Sequence, residues 1–255
     1  MDVDASGDGG LIDFELSPTW LEDQMIFALV TTPSDNRVVR IAPTGSVKPV
    51  LTGIPKGATG NMGSIVFSGP STLVVATGDA GDPGAAGDRS SLAGKIFEID
   101  PNQPSPRPEI KASGLGSNVA LCRDPDAGRL FVADSGAAGD RLSEVTGTSL
   151  TTLWTWADRP GLTGCATGSD WIAVSIGSKK RLDVFGKPSA ANPTVNEPDQ
   201  RDFAEQYGAV GRMTTLGGSA FQLATVNKTL DRGDVKSFDD RVARTMMQPP
   251  GEDRT

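Results

Sequence analysis

The chain contains no histidine among its 255 residues. This absence excludes the catalytic systems that need an imidazole: Ser-His-Asp and Cys-His nucleophiles, histidine-ligated zinc and a histidine general base. Tyrosine is almost as scarce, since Tyr207 is the only one. An enzyme built on this chain would therefore have to move protons with aspartate, glutamate, lysine, Tyr207 or a bound cofactor.

Long apolar runs and excess positive charge are also missing. The longest apolar runs, such as Met25–Val30 and Trp171–Ile176, are far shorter than the roughly 20 residues that span a bilayer. The segment Met1–Asp8 is acidic and small, which is not the pattern of a signal peptide. The formal net charge of −8 argues against a nucleic-acid or anionic-membrane partner, because phosphate binding needs a basic surface.

What the chain does contain is a repeat of short β-rich runs. Each unit has a first strand, a turn, a very apolar second strand, a variable loop and a third strand flanked by polar residues. A period of about 45 to 55 residues is typical of β-propeller blades. We therefore predict an all-β fold, a β-propeller with five units forming a single domain over residues 1–248, and a flexible tail over 249–255. Asp199–Gln206 is predicted to form a short helix. The apolar second strands fall at residues 25–30, 72–77, 129–134, 171–176 and 220–226.

The second unit carries a specific order of motifs. Residues 60–67 read Gly-Asn-Met-Gly-Ser-Ile-Val-Phe, residues 77–82 read Thr-Gly-Asp-Ala-Gly-Asp, and residues 91–96 read Ser-Leu-Ala-Gly-Lys-Ile. This order resembles the glucose/sorbosone dehydrogenase family, in which His-Asn-Gly-Gly-Arg-Leu is followed by Gly-Asp and then Ser-Leu-Ala-Gly-Lys-Ile. The resemblance covers nearly the whole chain. It implies a propeller of six blades that binds pyrroloquinoline quinone (PQQ) and calcium.

Further motifs are similar to an actinobacterial lipoprotein branch of this family, the LppZ proteins. Such proteins are exported and anchored to the cell envelope through an upstream cysteine. The resemblance therefore implies an extracytoplasmic location, with membrane attachment only through that lipid anchor. It also implies that the chain begins where the family's second blade begins, so that the export signal, the lipobox and the first blade lie upstream. The motifs fall at residues 35–40, 51–57, 78–83, 154–156 and 224–229.

The resemblance assigns site residues to this chain. The family's general base is a histidine that opens the first strand of the second unit, and here that position holds Gly60, followed by Asn61. Glycine cannot accept a proton, so an acid–base contribution of roughly 10²–10⁴-fold is lost. The remaining candidates for the ligand pocket are Asn61, Asp79, Lys179 and Arg212.

Most of the cations that would hold the quinone are absent as well. The family motif Arg-Asn-Pro-Gln-Gly falls on residues 116–120, which read Gly-Ser-Asn-Val-Ala. A cofactor lysine falls at Lys179 or Lys180, and Arg212 retains one of two late arginines. Because the carboxylates of the quinone need cationic partners, PQQ is implied here by the resemblance alone.

One Gly-rich loop brings together Asp79, Asp82 and Asp88. Their carboxylates could ligate calcium, and Asp79 and Asp82 are the metal candidates. The spacing is not that of an EF-hand, and Gly-Asp turns are common in propellers. A purely structural turn is therefore the alternative interpretation.

Two cysteines, Cys122 and Cys165, occupy equivalent positions on the first strands of neighbouring units. An exported setting favours a disulfide between them. The alternative is a pair of buried thiols, because the first strands of adjacent blades can lie too far apart for a bridge.

These observations predict a non-catalytic binding or interaction module on a sugar-dehydrogenase scaffold. Its expected partner is a small molecule, such as a carbohydrate, or an envelope protein. The first alternative is a PQQ-dependent sugar or alcohol dehydrogenase that uses another base, such as Asp79. The second alternative is a purely structural lipoprotein domain.

Overall fold

The computed structural model describes residues 1–190, 192–204, 206–226 and 240–247. Within these residues the chain forms five antiparallel sheets, each built from strands that are consecutive in sequence. The five units predicted from the repeat are therefore all present as sheets. No helix in the described part of the chain is long and apolar enough to span a bilayer. The tail predicted over 249–255 lies outside the described residues.

The first two sheets have four strands each. They are β1 (Leu11–Leu16), β2 (Ile26–Thr31), β3 (Asn36–Ile41) and β4 (Val47–Ile54), then β5 (Ser64–Gly69), β6 (Thr72–Ala76), β7 (Lys95–Ile99) and β8 (Glu109–Ser113). Two short helices lie in their loops, α1 (Trp20–Asp23) and α2 (Pro83–Gly87).

The remaining sheets follow the same order, with four, four and three described strands. They are β9 (Asn118–Arg123), β10 (Leu130–Gly136), β11 (Gly139–Thr146) and β12 (Ser149–Trp156), then β13 (Gly164–Thr167), β14 (Trp171–Ile176), β15 (Arg181–Gly186) and β16 (Asp199–Asp202), then β17 (Ala209–Gly217), β18 (Ala220–Val226) and β19 (Val242–Met246). A 3₁₀ turn covers Gly177–Lys179.

The chain divides into two compact units. The first holds Met1–Val119, Asp134–Ala138 and Val145–Leu150, and the second holds Ala120–Ala133, Gly139–Glu144 and the described residues from Thr151 onward. The single domain over residues 1–248 and the additional first blade stay predictions.

In the first unit, the first strands of neighbouring sheets are joined by a carboxylate. Asp13 of β1 accepts hydrogen bonds from Ser64 Oγ at 2.7 Å and from the backbone nitrogen of Ile65 at 2.9 Å, both in β5. Beside this contact, the rings of Phe27 and Phe67 meet edge to face with centroids 5.2 Å apart. These contacts join the first two sheets of the first unit.

In the second unit, β14 shows why the second strand of each repeat is so apolar. All six of its residues are buried. Ile172, Val174 and Ile176 belong to one core cluster, whereas Trp171 and Ala173 belong to another. Because side chains alternate between the two faces of a strand, a sheet covered on both faces needs a continuous apolar run.

The fourth strands were largely missed by the sequence interpretation. The strands β4, β8 and β16 were not predicted, because their residues are mostly polar or exposed. The predicted helix over Asp199–Gln206 is wrong. Asp199–Asp202 is the edge strand β16, which pairs antiparallel with β15.

Candidate functional site

The turn before β5 contains the position at which the family pattern has its histidine. Gly60 occupies this position, is buried and has a φ of +77°. A β-carbon built on it would lie 2.4 Å from the backbone nitrogen of Gly81 and 2.5 Å from Asp79 Oδ1. The left-handed conformation also favours glycine. Position 60 therefore has no room for a side chain of any kind.

Asn61, the next residue, is buried and uses the full hydrogen-bonding capacity of its side chain. Its Nδ2 donates to Asp8 Oδ1 at 2.6 Å and to the Gly57 carbonyl at 2.9 Å. Its Oδ1 accepts from Asn36 Nδ2 and from the Gly57 nitrogen, both at 3.0 Å. Two donated and two accepted bonds satisfy a primary amide. Asn61 therefore holds the turn in shape and has no unused hydrogen-bonding group while Asp8 is in place.

Asp8 belongs to this site, and the sequence interpretation missed it. Its Oδ2 accepts from the backbone nitrogens of Gly60 at 2.7 Å and of Asn61 at 3.2 Å. The side chain is half-buried. Asp8 is separated from Gly60 by 52 positions, and no local pattern connects residues that far apart. The only signal available was the acidic character of Met1–Asp8.

Asp79 lies next to Gly60, in the loop that follows β6. It is buried, and its Oδ1 accepts from the backbone nitrogen of Gly81 at 2.9 Å. Its own backbone nitrogen donates to the Gly116 carbonyl at 3.0 Å, and the Ala80 nitrogen donates to the Gly60 carbonyl at 2.8 Å. The structure thus brings two predicted pocket residues, Asn61 and Asp79, to the same turn.

In the Gly-rich loop that holds the metal candidates, carboxylates accept hydrogen bonds from the loop itself. Asp82 caps α2, with Oδ1 accepting from the Gly84 nitrogen at 2.9 Å. Asp88 Oδ1 accepts from the nitrogen and the hydroxyl of Ser90, both at 2.8 Å. The part of the chain that the structure describes holds no group of three or more Asp, Glu, Cys or His that could share a metal ion. Calcium binding by Asp79 and Asp82 stays a prediction.

A buried lysine donates hydrogen bonds to backbone carbonyls of the same loop. Lys95 is fully buried, and its Nζ donates to the carbonyls of Ala85 at 2.9 Å, Ala86 at 2.8 Å and Ala93 at 2.8 Å. Burial lowers the pKa of Lys95, and the charge of Asp88 opposes this shift. The lysine of the Ser-Leu-Ala-Gly-Lys-Ile motif therefore organises the loop that packs against Gly60.

The other two pocket candidates lie in the second unit. Lys179 ends the 3₁₀ turn and forms an exposed ion pair with Asp158. Arg212 lies on β17 and is half-buried. Thr163 links the two elements, because its Oγ1 donates to the Val210 carbonyl of β17 at 2.8 Å and accepts from the nitrogen of Gly177 at 3.2 Å. The structure thus places Lys179 and Arg212 on neighbouring elements.

The two cysteines form a disulfide within the second unit. Cys122 of β9 and Cys165 of β13 have Cα atoms 5.3 Å apart, and both are buried. The first strands that carry them therefore approach closely enough for a bridge.

One position that the resemblance assigns to the cofactor is as crowded as position 60, the place of the general base. Gly116 stands where the family motif has its arginine, and a β-carbon there would lie 2.3 Å from Gly136 Cα and 2.4 Å from the Ser135 carbonyl oxygen. Position 116 therefore lacks both the cationic side chain that the resemblance assigns to PQQ and the space for one, so this part of the first unit does not fit the cofactor.

Comparison with known proteins gives both a family and a fold. The family model described as glucose/sorbosone dehydrogenase matches residues 1–147. The structure is similar to the PQQ-bound aldose sugar dehydrogenase of Streptomyces coelicolor, with a TM-score of 0.80 and 29% sequence identity over 95% of this chain and 81% of that one. No curated protein matches the chain in sequence.

More distant structures agree on the fold. A glucose dehydrogenase-like oxidoreductase of Thermus thermophilus gives a TM-score of 0.79 at 23% identity, covering 96% of this chain and 85% of that one. The soluble aldose sugar dehydrogenase of Escherichia coli gives 0.72 at 18% identity, covering 88% and 82%. The predicted class, an all-β propeller with five blades present, is confirmed.

Proposed function

Since this chain belongs to the glucose/sorbosone dehydrogenase family, we propose that it is a member without dehydrogenase activity, acting as a binding module for a small polar molecule at the cell envelope. The observation that carries the proposal is the geometry of Gly60. Its φ is +77°, and a β-carbon there would lie 2.5 Å from Asp79 Oδ1. The place of the family's general base thus has neither a base nor room for one.

The chemistry of sugar oxidation explains why this position decides the function. PQQ, where bound, supplies the acceptor for the hydride that leaves the sugar carbon. The protein must take the hydroxyl proton, which requires a side chain with a lone pair within hydrogen-bond distance of it. Around Gly60 the nearest carboxylates, Asp8 and Asp79, accept hydrogen bonds from backbone N–H groups. Those bonds commit the carboxylate oxygens to the backbone of the turn and its neighbouring loop.

The ligand class and the location are also part of this proposal. The S. coelicolor relative is an aldose sugar dehydrogenase, which supports a carbohydrate as the small molecule. The disulfide between Cys122 and Cys165 supports an oxidising compartment outside the cytoplasm. The motifs shared with the LppZ lipoproteins support attachment to the envelope through a lipid anchor, where an envelope protein is a further partner.

One observation favours the alternative function, a PQQ-dependent dehydrogenase: the chain is 29% identical to a PQQ-bound enzyme. The deciding experiment reconstitutes the chain with PQQ and calcium, then measures dye reduction with a panel of aldoses. The S. coelicolor enzyme, treated identically, is the positive control. We expect no turnover above that of free PQQ. Sustained aldose-dependent turnover by this chain would overturn the proposal.

A binding function is tested separately by thermal unfolding in the presence of the same aldoses. A ligand that binds the native state raises the melting temperature, and the rise grows with the logarithm of the ligand concentration once that concentration exceeds Kd. A concentration-dependent rise with one sugar class would identify the ligand. Unchanged melting with every sugar would leave the structural-domain alternative as the better account.

A further inference from the structure

Three N–H groups of the turn before β5 converge on one carboxylate. The backbone nitrogen of Gly60 and the side-chain Nδ2 of Asn61 donate to Asp8 at 2.7 Å and 2.6 Å, one to each oxygen. The backbone nitrogen of Asn61 adds longer contacts of 3.2 and 3.3 Å. Successive N–H groups directed at one point next to a left-handed residue form an anion-binding concavity.

The carboxylate that fills this concavity comes from a short segment, Asp4–Gly10, here called the acidic strap. At its other end Asp4 forms an ion pair with Lys56, whose Nζ also donates to the Thr32 carbonyl at 3.2 Å. The hydrogen bond from Lys56 holds the pKa of Asp4 well below its usual range. Both carboxylates of the strap therefore bind donors on or next to residues 57–61.

Two glycines let the strap lie flat on the turn. Gly7 has a φ of +62°, and a β-carbon on it would lie 2.2 Å from the Ala58 carbonyl oxygen. A β-carbon on Gly9 would lie 2.6 Å from the Asp4 carbonyl oxygen. Any side chain at position 7 would therefore lift the strap away from the turn.

From this geometry we propose that the Gly60–Asn61 turn is a carboxylate-binding site and that Asp8 is its intramolecular occupant. An organic carboxylate, such as that of a sugar acid, takes the place of Asp8 when the strap is lifted. The donors favour a carboxylate because each of its two oxygens receives its own N–H group, whereas a neutral hydroxyl offers one oxygen and no charge. This inference rests on the function proposed above, because it names the ligand class of the proposed binding module and places that ligand at the turn.

The covalent link decides which species fills the site. Because Asp8 is part of the chain, its effective concentration at the turn is about millimolar or higher. A free carboxylate must compete with it, so the native chain is expected to bind acetate poorly. Removing Asp8, or lifting the strap, should open the site.

The test uses acetate as the probe and the amide resonances of Gly60 and Asn61 as the readout. Sodium acetate replaces sodium chloride at constant ionic strength. We expect saturable shifts in Asp8→Ala, with an affinity at least about tenfold above that of the unmodified chain. Gly7→Ala should show the same response, although it keeps Asp8 and every donor of the turn. Gly45→Ala is the matched control, since Gly45 has a φ of +80° with nothing within 4 Å of its β-carbon position, and it should behave like the unmodified chain.

A second measurement keeps the inference testable if Asp8→Ala or Gly7→Ala fails to fold. Asp8→Asn supplies that measurement, because it removes the charge of the side chain while leaving its size nearly unchanged. Its Gly60 and Asn61 amide resonances should shift with acetate more strongly than those of the unmodified chain. The inference is overturned if no folded variant responds more strongly to acetate than the unmodified chain does. Aldose turnover with PQQ would sink the proposed function without changing these amide responses, so the two failures are distinguishable.

Discussion

The indole nitrogen of Trp156 donates a 2.7 Å hydrogen bond to the buried carboxylate of Asp183. This bond connects β12 to β15, and Arg181 binds the same carboxylate through its Nε at 2.8 Å. A buried charge that loses one partner costs more than the bond itself contributes. Loss of this hydrogen bond should therefore lower the free energy of unfolding of the second unit.

Trp156→Phe should lower the free energy of unfolding by about 2 kcal/mol, because it removes the donor and leaves the carboxylate under-satisfied. Trp154→Phe is the matched control, since Trp154 packs against Phe185 at 5.7 Å and is only partly buried. Chemical denaturation of both variants checks the difference. Equal losses in the two would show that ring packing, rather than the bond to Asp183, sets the stability.

Lys95→Met should destabilise the chain by about 3 kcal/mol, since three buried carbonyls lose a charged donor. Lys111→Met provides the comparison on the neighbouring strand β8. Lys111 makes ion pairs with Glu98 and Glu109 nearer the surface, and such pairs contribute at most about 1 kcal/mol. Urea denaturation of both variants measures the contrast. A milder effect at Lys95 than at Lys111 would contradict the role assigned to its ammonium group.

Gly60→Ala should cost at least about 2 kcal/mol more than Gly45→Ala, although both glycines have a left-handed φ. Only position 60 has atoms in the space that the new methyl group needs. Gly60→His should therefore be unstable as well, and should not gain aldose-dependent dye reduction with PQQ. Melting temperatures and the dye assay test both statements. A stable and active Gly60→His variant would show that the surrounding loops yield easily.

Stability should also fall as the pH rises, because of Glu15. Burial, together with the charge of Asp13, raises the pKa of Glu15 from 4.5 to about 7. The folded chain therefore holds a proton that the unfolded chain releases between these two values, so stability is lost as the pH rises from 4.5 through 7. The loss is at most about 3 kcal/mol. Glu15→Gln should flatten this part of the profile, as measured by denaturation at pH 5 and pH 8. An unchanged slope in Glu15→Gln would assign the effect to another group.

Replacing both Cys122 and Cys165 by alanine should lower the stability by about 4 kcal/mol, the value expected from closing a loop of this length. The two cysteines are 43 positions apart. A reducing agent should destabilise the unmodified chain to a similar extent and leave the double variant unaffected. If reduction has no effect on the unmodified chain, the bridge does not contribute to folding.

The regular part of this fold could be predicted from its sequence. Runs such as Trp171–Ile176 are apolar at every position but Ser175 because both faces are covered, and their spacing gives the repeat. The edge strand Asp199–Asp202 could not be predicted in this way. It is held by pairing with Arg181–Val184, a contact that leaves no apolar pattern in its own residues.

The candidate site could be predicted only in part. The sequence identified Gly60, Asn61 and Asp79, because each lies in a short motif of consecutive residues that resembles the family pattern. It did not reveal that the backbone of Gly81 lies where a side chain at position 60 would be, or that Asp8 reaches the turn. Both facts arise from contacts between segments that are distant in the chain.

The burial of Lys95 makes its amine an internal reporter of opening. Acylating reagents modify lysines that are solvated and deprotonated, so the exposed Lys179 should react while the native fold shields Lys95. Labelling at Lys95 then requires the loop over it to detach, and its rate follows the free energy of that local event. Mass spectrometry of the peptide that contains Lys95 could follow the opening of the loop in a mixture, without an engineered probe.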